Sequence, residues 1–365
     1  MISMASPDGF SMPAEYWQHS HTLMLWPERN DIWRNGAKPI QKTIVELSRV
    51  VSEFEPVIVG VTAQQYMHAR NMLPSCVKLF EISYNDIWIR DIAPTFLVNN
   101  ECIRGVDWKF NAWGGCEDGL YYPWDLDDSL AQKLLELYDF PRYAADMVLE
   151  GGAIATDGEG TLIATEQCLL NKNRNPSLSK NDIEYRLKTY LNITKVIWLK
   201  SGLMFDEAGG HIDNLCTFAR PGEVLLAWTN DKNHPQYPIC QNAFNVLAKA
   251  KDALDRPLKI ERIELPETMR FTAEETAGLD YSPYTIRRST DGSLLGSYIN
   301  FVHVNGGVII PTFGCEQDAA ALEQFKALFP AKQIVQVSAR EIILGGGGLH
   351  CVTKEVPPKA KFSLA

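Results

Sequence analysis

Apolar positions recur at helical spacing in PIQKTIVELSRVVSEF (39–54), DSLAQKLLELY (128–138), SKNDIEYRLKTYL (179–191) and AALEQFKALF (320–329), and again in ICQNAFNVLAKA (239–250). Short β-branched runs follow four of these helices: PVIVGV (56–61), KVIWLK (195–200), LKIERIEL (258–265) and QIVQVSA (333–339). A polar motif leading toward a hairpin then recurs along the chain, in WIRDIAPTFLVNN (88–100), LEGGAIATDGEGTLIATE (149–166), GHIDNLCTFARPGEVLLAW (210–228), GSYINFVHVNGGVIIPTF (296–313) and GGLHCVT (347–353). The turns at 157–160, 220–223 and 305–307 carry the glycine, proline and asparagine that tight hairpins require.

The chain therefore reads as about five rounds of helix, strand, polar motif and hairpin. Asp91 to Glu150 is 59 positions, Glu150 to His211 is 61, His211 to Ser297 is 86 and Ser297 to Cys351 is 54. Such spacing points to an internal repeat. Five α/β units could close into a ring with their polar motifs meeting on the axis; an ordinary α/β sheet with uneven loops is the alternative. The polar stretch 266–295, rich in turn formers, is expected to be a lid or rim over a site, because long loops within compact domains are usually functional.

Composition narrows the function. Of 365 residues, 45% are hydrophobic and 22% charged, as in ordinary globular proteins. Acidic residues outnumber basic ones 45 to 35, a net charge of −10, which argues against nucleic acid and favours a cationic ligand. No apolar run reaches the roughly 18 residues of a membrane helix, and the start lacks the pattern of a secretory signal. Eight scattered cysteines (76, 102, 116, 168, 216, 240, 315 and 351) form no CxxC pair, so a reduced, cytoplasmic chain without a metal site is expected.

Four places could carry chemistry. Cys351 ends the glycine run 345–348, where backbone N–H groups approach a ligand closely, so it is a candidate nucleophile; a buried structural thiol is the alternative. His211 and Asp213 would share one face of a strand and suit acid–base work, unless His211 is a core histidine. In 85–91, Trp88 and Arg90 would share one face of an extended segment and Asp91 the other, with a salt-bridged surface loop as the bland reading. Glu150 precedes a flexible turn. Asp127 and Asp128 suit a helix N-terminus. Carboxylates around a cysteine fit a planar cation such as a guanidinium, whose forked N–H groups match carboxylate oxygens.

With these residues in view, the chain resembles the agmatine deiminases, within the Porphyromonas-type peptidylarginine deiminase family of the guanidine-modifying superfamily. The resemblance spans nearly the whole chain, through 8–34, 85–96, 106–115, 118–128, 149–152, 209–213 and 345–351 in order. It implies a single catalytic domain over 1–365, built as a five-bladed pseudo-symmetric α/β propeller, and a homo-oligomer. It implies hydrolysis of agmatine to N-carbamoylputrescine and ammonia, feeding polyamine metabolism, with no metal or organic cofactor. Cys351 would form the amidino-cysteine intermediate and His211 act as acid and base. Asp91 and Asp213 would hold the guanidinium, and Glu150 would stand beside the histidine. Trp88, Glu207, Gly346 and Gly347 would contact the substrate. A deiminase of free or peptidyl arginine, or an amidinotransferase, is the alternative. The chain departs from the usual pattern at Ala93, Ala208, Asn214, Gly348, Lys354 and Glu355.

Overall fold

The computed structural model describes residues 9–99 and 102–359; Asp8, Asn100 and both ends of the 1–365 span lie outside the described residues. Four sheets share one topology, an antiparallel hairpin followed by a crossover helix and a third strand parallel to the second. The first is Thr95–Val98, Ile103–Lys109, helix Leu130–Tyr138 and Arg142–Val148. The second is Ile154–Thr156, Thr161–Thr165, helix Lys180–Leu191 and Lys195–Leu199. The third is Cys216–Arg220, Glu223–Trp228, helix Tyr237–Leu247 and Lys259–Glu264. The fourth is Val302–Val304, Gly307–Thr312, helix Gln317–Leu328 and Gln333–Ser338. A fifth sheet joins the two ends of the chain. Lys354–Val356 pairs antiparallel with His21–Leu25, helix Lys38–Ser52 crosses to the parallel strand Val57–Val61, and Lys78–Glu81 adds an edge.

The strand sequences follow from these positions. A middle strand packs on both faces, so it is apolar throughout: Val224 to Ala227 and Val308 to Ile310 are fully buried. The third strand of a unit has a more exposed face, and Arg142–Val148 alternates between exposed and buried positions. Helix ends are also legible. Ser179 and Asp182 form a reciprocal capping box before Lys180–Leu191, and Asn192 stops that helix in the left-handed region at φ 54°.

Asp127 and Asp128 stand as expected in the first turn of a helix, the short Asp125–Asp128, but the expected cap is not made. Helix Leu130–Tyr138 begins after Ser129 without a side-chain cap. Asp127 instead accepts from the Asn85 N–H (2.7 Å) and the Tyr121 hydroxyl (2.6 Å), and Asp128 accepts from the Phe110 N–H (2.8 Å). Both carboxylates serve neighbouring loops, because those buried N–H donors have no ladder partner.

The 266–295 stretch is not structureless. It holds a small hairpin, Met269–Arg270 with Ser293–Leu294, and the short helix Ala273–Ala277, opened by a Thr272–Glu275 capping box. Arg340 forks onto Glu275 at 2.8 and 2.7 Å, and the backbone N–H groups of Tyr122 and Ile286 bond Tyr284 and Leu120 carbonyls. Among the described residues no helix is long and apolar enough to cross a membrane.

Candidate active site

Each polar motif ends just before the first strand of a hairpin, so all five emerge at equivalent strand ends. They touch in sequence order. The Gly152 N–H donates to Asp91 Oδ1 (2.8 Å), and Gly152 lies directly against His211 and Asp213. Ser297 Oγ donates to the Asn214 carbonyl (2.7 Å), and the His350 N–H to Asn300 Oδ1 (3.0 Å). The Arg90 N–H returns to the Cys351 carbonyl (3.2 Å), closing the circuit.

Inside this circuit lies a cavity of about 20 Å³, lined by Trp88, Asp91, Trp113, His211, Gly346 and Cys351 among others. That is room for one water molecule. Cys351 Sγ accepts from the Gly348 N–H (3.3 Å) and Asn300 Nδ2 (3.4 Å) and lies 3.6 Å from Asp213 Oδ2. Burial and the Asp213 and Asp91 carboxylates push its thiol well above the ordinary range, against the help of those two donors. The unliganded site therefore holds a thiol.

His211 is buried on the same cavity. Its Nδ1 is 3.9 Å from Asp91 Oδ2, and its N–H donates to Asp206 Oδ2 (2.6 Å). Burial opposes its charge, but Asp91, Cys168 and Glu150 outweigh that and hold it well above 6.5, so an imidazolium faces the carboxylates. His211 and Asp213 do not share the face of a strand as expected. His211 precedes a single 3-10 turn, Ile212–Asn214, which sets His211 on the cavity and Asp213 beside the Cys351 sulfur.

The 88–91 segment is likewise a turn of helix, Ile89–Ile92, not an extended stretch. It aims Asp91 into the cavity and Arg90 behind it, where Arg90 is buried and paired with Glu15 (3.0 Å) and Glu355 (2.7 Å). The surface-loop reading of Arg90 is thereby excluded. Asp91 Oδ2 takes the Trp113 indole N–H at 2.9 Å. Ala112 and Trp113 reach that point with φ of 53° and 65°, strained for residues with side chains. Trp88 packs between Trp33 and Trp113, with ring centres 5.5 and 6.0 Å away. Gly347 is required there: a Cβ would lie 2.5 Å from Trp88 and 3.2 Å from Cys351 Sγ.

Glu150 is fully buried and paired with Arg174 at 2.5 Å, which also bonds the Trp113 and Ala208 carbonyls. Glu207 is ion-paired with Arg288, which donates to the Gly345 carbonyl at 3.1 Å. Donor atoms of Glu150, Cys168 and His211 lie within 4.8 Å of one another, a grouping the scattered cysteines did not suggest. The Arg174 cation on Glu150 and the burial that raises the Cys168 thiol both disfavour a cation there.

Sequence reasoning missed Asn300, Arg174, Asp206, Cys168 and Arg288. Asn300 stands in a polar motif already marked by the repeat; the others carry no local signal.

The family model for Porphyromonas-type peptidyl-arginine deiminase matches residues 11–357. The chain belongs to that family. It is 49% identical over 353 residues to an agmatine deiminase of Ectopseudomonas mendocina (strain ymp), covering 96% of each chain. It is 48% identical over 357 residues to an agmatine deiminase of Pseudomonas aeruginosa (strain LESB58), covering 97% of each. Among solved structures, the agmatine deiminase of Enterococcus faecalis superposes with a TM-score of 0.95 at 43% identity over 98% of both chains. The α/β architecture expected from the repeat is thus the architecture of the family.

Proposed function

We propose that the protein is an agmatine deiminase that works through a covalent cysteine intermediate, as a single domain whose five units stand around a pseudo-fivefold axis. The observation that carries this reading is the convergence of Cys351, the His211 imidazolium and Asp91 on one cavity, with Asp213 Oδ2 3.6 Å from the Cys351 sulfur.

The guanidinium of agmatine enters this cavity, held in its plane by Asp91 and Asp213. Its positive charge offsets the carboxylates that keep Cys351 protonated, so when substrate is bound the thiol releases its proton to solvent and the thiolate forms. Sulfur adds to the guanidinium carbon. His211 gives its proton to one nitrogen, the C–N bond breaks, and ammonia leaves an amidino-thioether. Neutral His211 then takes a proton from water as it attacks that carbon. The C–S bond breaks, the hydroxyl proton of the adduct returns to the sulfur as the urea carbonyl forms, and N-carbamoylputrescine departs. Asp91 chiefly keeps His211 charged, and Glu150, fixed by Arg174, adds to it. No step calls for a metal or organic cofactor.

A cavity of about 20 Å³ does not admit a nine-atom amine, so a wall must move. The 266–295 segment is that wall, a lid with Arg288 latched on Glu207. Cavities of about 310 and 570 Å³ beside residues 276–288 give it room. The distal ammonium of agmatine takes the place of Arg288 on Glu207, with Trp88, Gly346 and Gly347 along the spacer. The same Arg288 favours a second reading, in which the distal group is the carboxylate of arginine. A homo-oligomeric, cytoplasmic enzyme of polyamine metabolism fits the first reading.

Ammonia release from agmatine, arginine and an arginyl peptide separates them. The proposal predicts the highest kcat/KM for agmatine by at least about tenfold, the discrimination expected of one buried charge contact. A preference for arginine sinks it.

A further inference from the structure

His350 and Glu15 have no part in the chemistry above, yet both are fixed directly behind it. His350 is buried, and both its ring nitrogens meet carboxylates. Nδ1 is 2.9 Å from Asp213 Oδ2, and Nε2 is 3.0 and 2.9 Å from the two oxygens of Glu15. An acceptor on each nitrogen demands a proton on each, and only the imidazolium has two.

The surroundings continue this pattern. Glu15 also takes Arg90 Nη1 (3.0 Å), Arg90 Nη2 lies 2.7 Å from Glu355, and Glu355 takes Lys354 Nζ (2.9 Å). The signs alternate along Lys354, Glu355, Arg90, Glu15, His350 and Asp213, three positive and three negative. His303 also feels the charge of His350, and burial and Lys332 hold it neutral. The row ends at Asp213 Oδ2, the oxygen 3.6 Å from Cys351 Sγ.

That oxygen is a problem for the nucleophile, since a bare carboxylate holds a neighbouring thiol protonated. We propose that His350 is a positioning residue, an imidazolium at neutral pH that fixes Asp213 and offsets part of its charge on Cys351, with Glu15 as the group that keeps it charged. This rests on Cys351 and Asp213 having the roles given above. Burial and Arg90 press the His350 proton off; Glu15 and Asp213 outweigh them and hold its pKa at about 9. The Glu15 carboxyl is held at about 2, because His350 and Arg90 outweigh its burial. At neutral pH, then, the row stays charged throughout.

The test uses the full chain labelled with carbon-13 at histidine Cε1, with the His350 resonance identified by its loss in His350→Gln. Glu15→Gln keeps one acceptor oxygen for Nε2 and Arg90 and removes the charge, so it is the informative variant. In the wild type the resonance should remain in its protonated position at pH 8. In Glu15→Gln it should titrate at least about one pH unit lower, and the alkaline limb of kcat/KM should move down with it. A neutral His350 at pH 7 in the wild type overturns the proposal. So does a Glu15→Gln enzyme with a lower melting temperature but an unshifted titration and rate profile. The resonance needs no substrate. Failure to turn over agmatine would therefore remove the proposed function and leave the charge state of His350 still decided.

Discussion

Asp91→Asn is the sharpest single perturbation, because asparagine fits the space and fails the chemistry. Both carboxylate oxygens already accept a hydrogen bond, from the Gly152 N–H at 2.8 Å and the Trp113 indole N–H at 2.9 Å. Asparagine has one acceptor oxygen, so one buried donor is orphaned at a cost of about 1–3 kcal/mol. Against that, the buried charge of Asp91 is itself unfavourable, its carboxyl pKa being raised chiefly by burial, and the neutral amide relieves it. The two effects oppose each other. With melting entropy near 2.1 cal/mol/K per residue, even the full loss lowers Tm by only about 1–4 °C. Activity is offset only in part, because one carboxylate fewer then holds the Cys351 thiol protonated. The attraction to the His211 imidazolium 3.9 Å away, about 4 kcal/mol at an effective dielectric near 20, disappears, and His211 becomes easier to deprotonate. The charge-assisted bonds to the guanidinium, about 1.5–3 kcal/mol each, go as well. Ammonia release at 25 °C should show kcat/KM down by about 10³-fold, since each 1.4 kcal/mol is tenfold. A folded Asp91→Asn enzyme within tenfold of wild type refutes the reasoning.

Cys351→Ala and Cys351→Ser should abolish ammonia release, whereas Cys116→Ala and Cys315→Ala should leave it intact, as peptide-resolved kinetics would check; comparable loss in all four contradicts the assignment. Gly347→Ala places a methyl 2.5 Å from Trp88 and 3.1 Å from the Cys351 Cβ, so kcat should fall at least about tenfold while urea denaturation shows a loss of about 1–3 kcal/mol from overpacking. The His350 pKa is raised from 6.5 to about 9, so its contribution to stability is complete below 6.5 and lost as pH rises through 9. Urea denaturation between pH 7 and 10 should show a decline of up to about 3 kcal/mol that Glu15→Gln diminishes.

The repeat was readable because each unit needs the same parts: an amphipathic crossover helix, an apolar middle strand and a hairpin turn of glycine, proline or asparagine. The polar motifs stood out because they interrupt that pattern at equivalent points, which is why Asp91, Glu150, His211 and Cys351 could be picked out. Their local conformation was not readable. Strand alternation placed His211 and Asp213 on one face, but the chain turns there, since a turn lets both side chains and the Asp206 contact point inward. Arg174 was invisible for a different reason. Its partners Glu150, Trp113 and Ala208 lie 24, 61 and 34 positions away, and nothing near 174 announces them. Asp127 and Asp128 misled because an acid before a helix looks the same whether it caps that helix or serves another loop.

The central claim is a bond between Cys351 sulfur and the guanidinium carbon. Rapid acid quench during agmatine turnover, followed by mass spectrometry of the peptide carrying Cys351, tests it most directly. The account predicts one added amidino group on that sulfur, appearing and vanishing with turnover. Steady turnover with Cys351 unmodified throughout, or the amidino group on another residue, would contradict it.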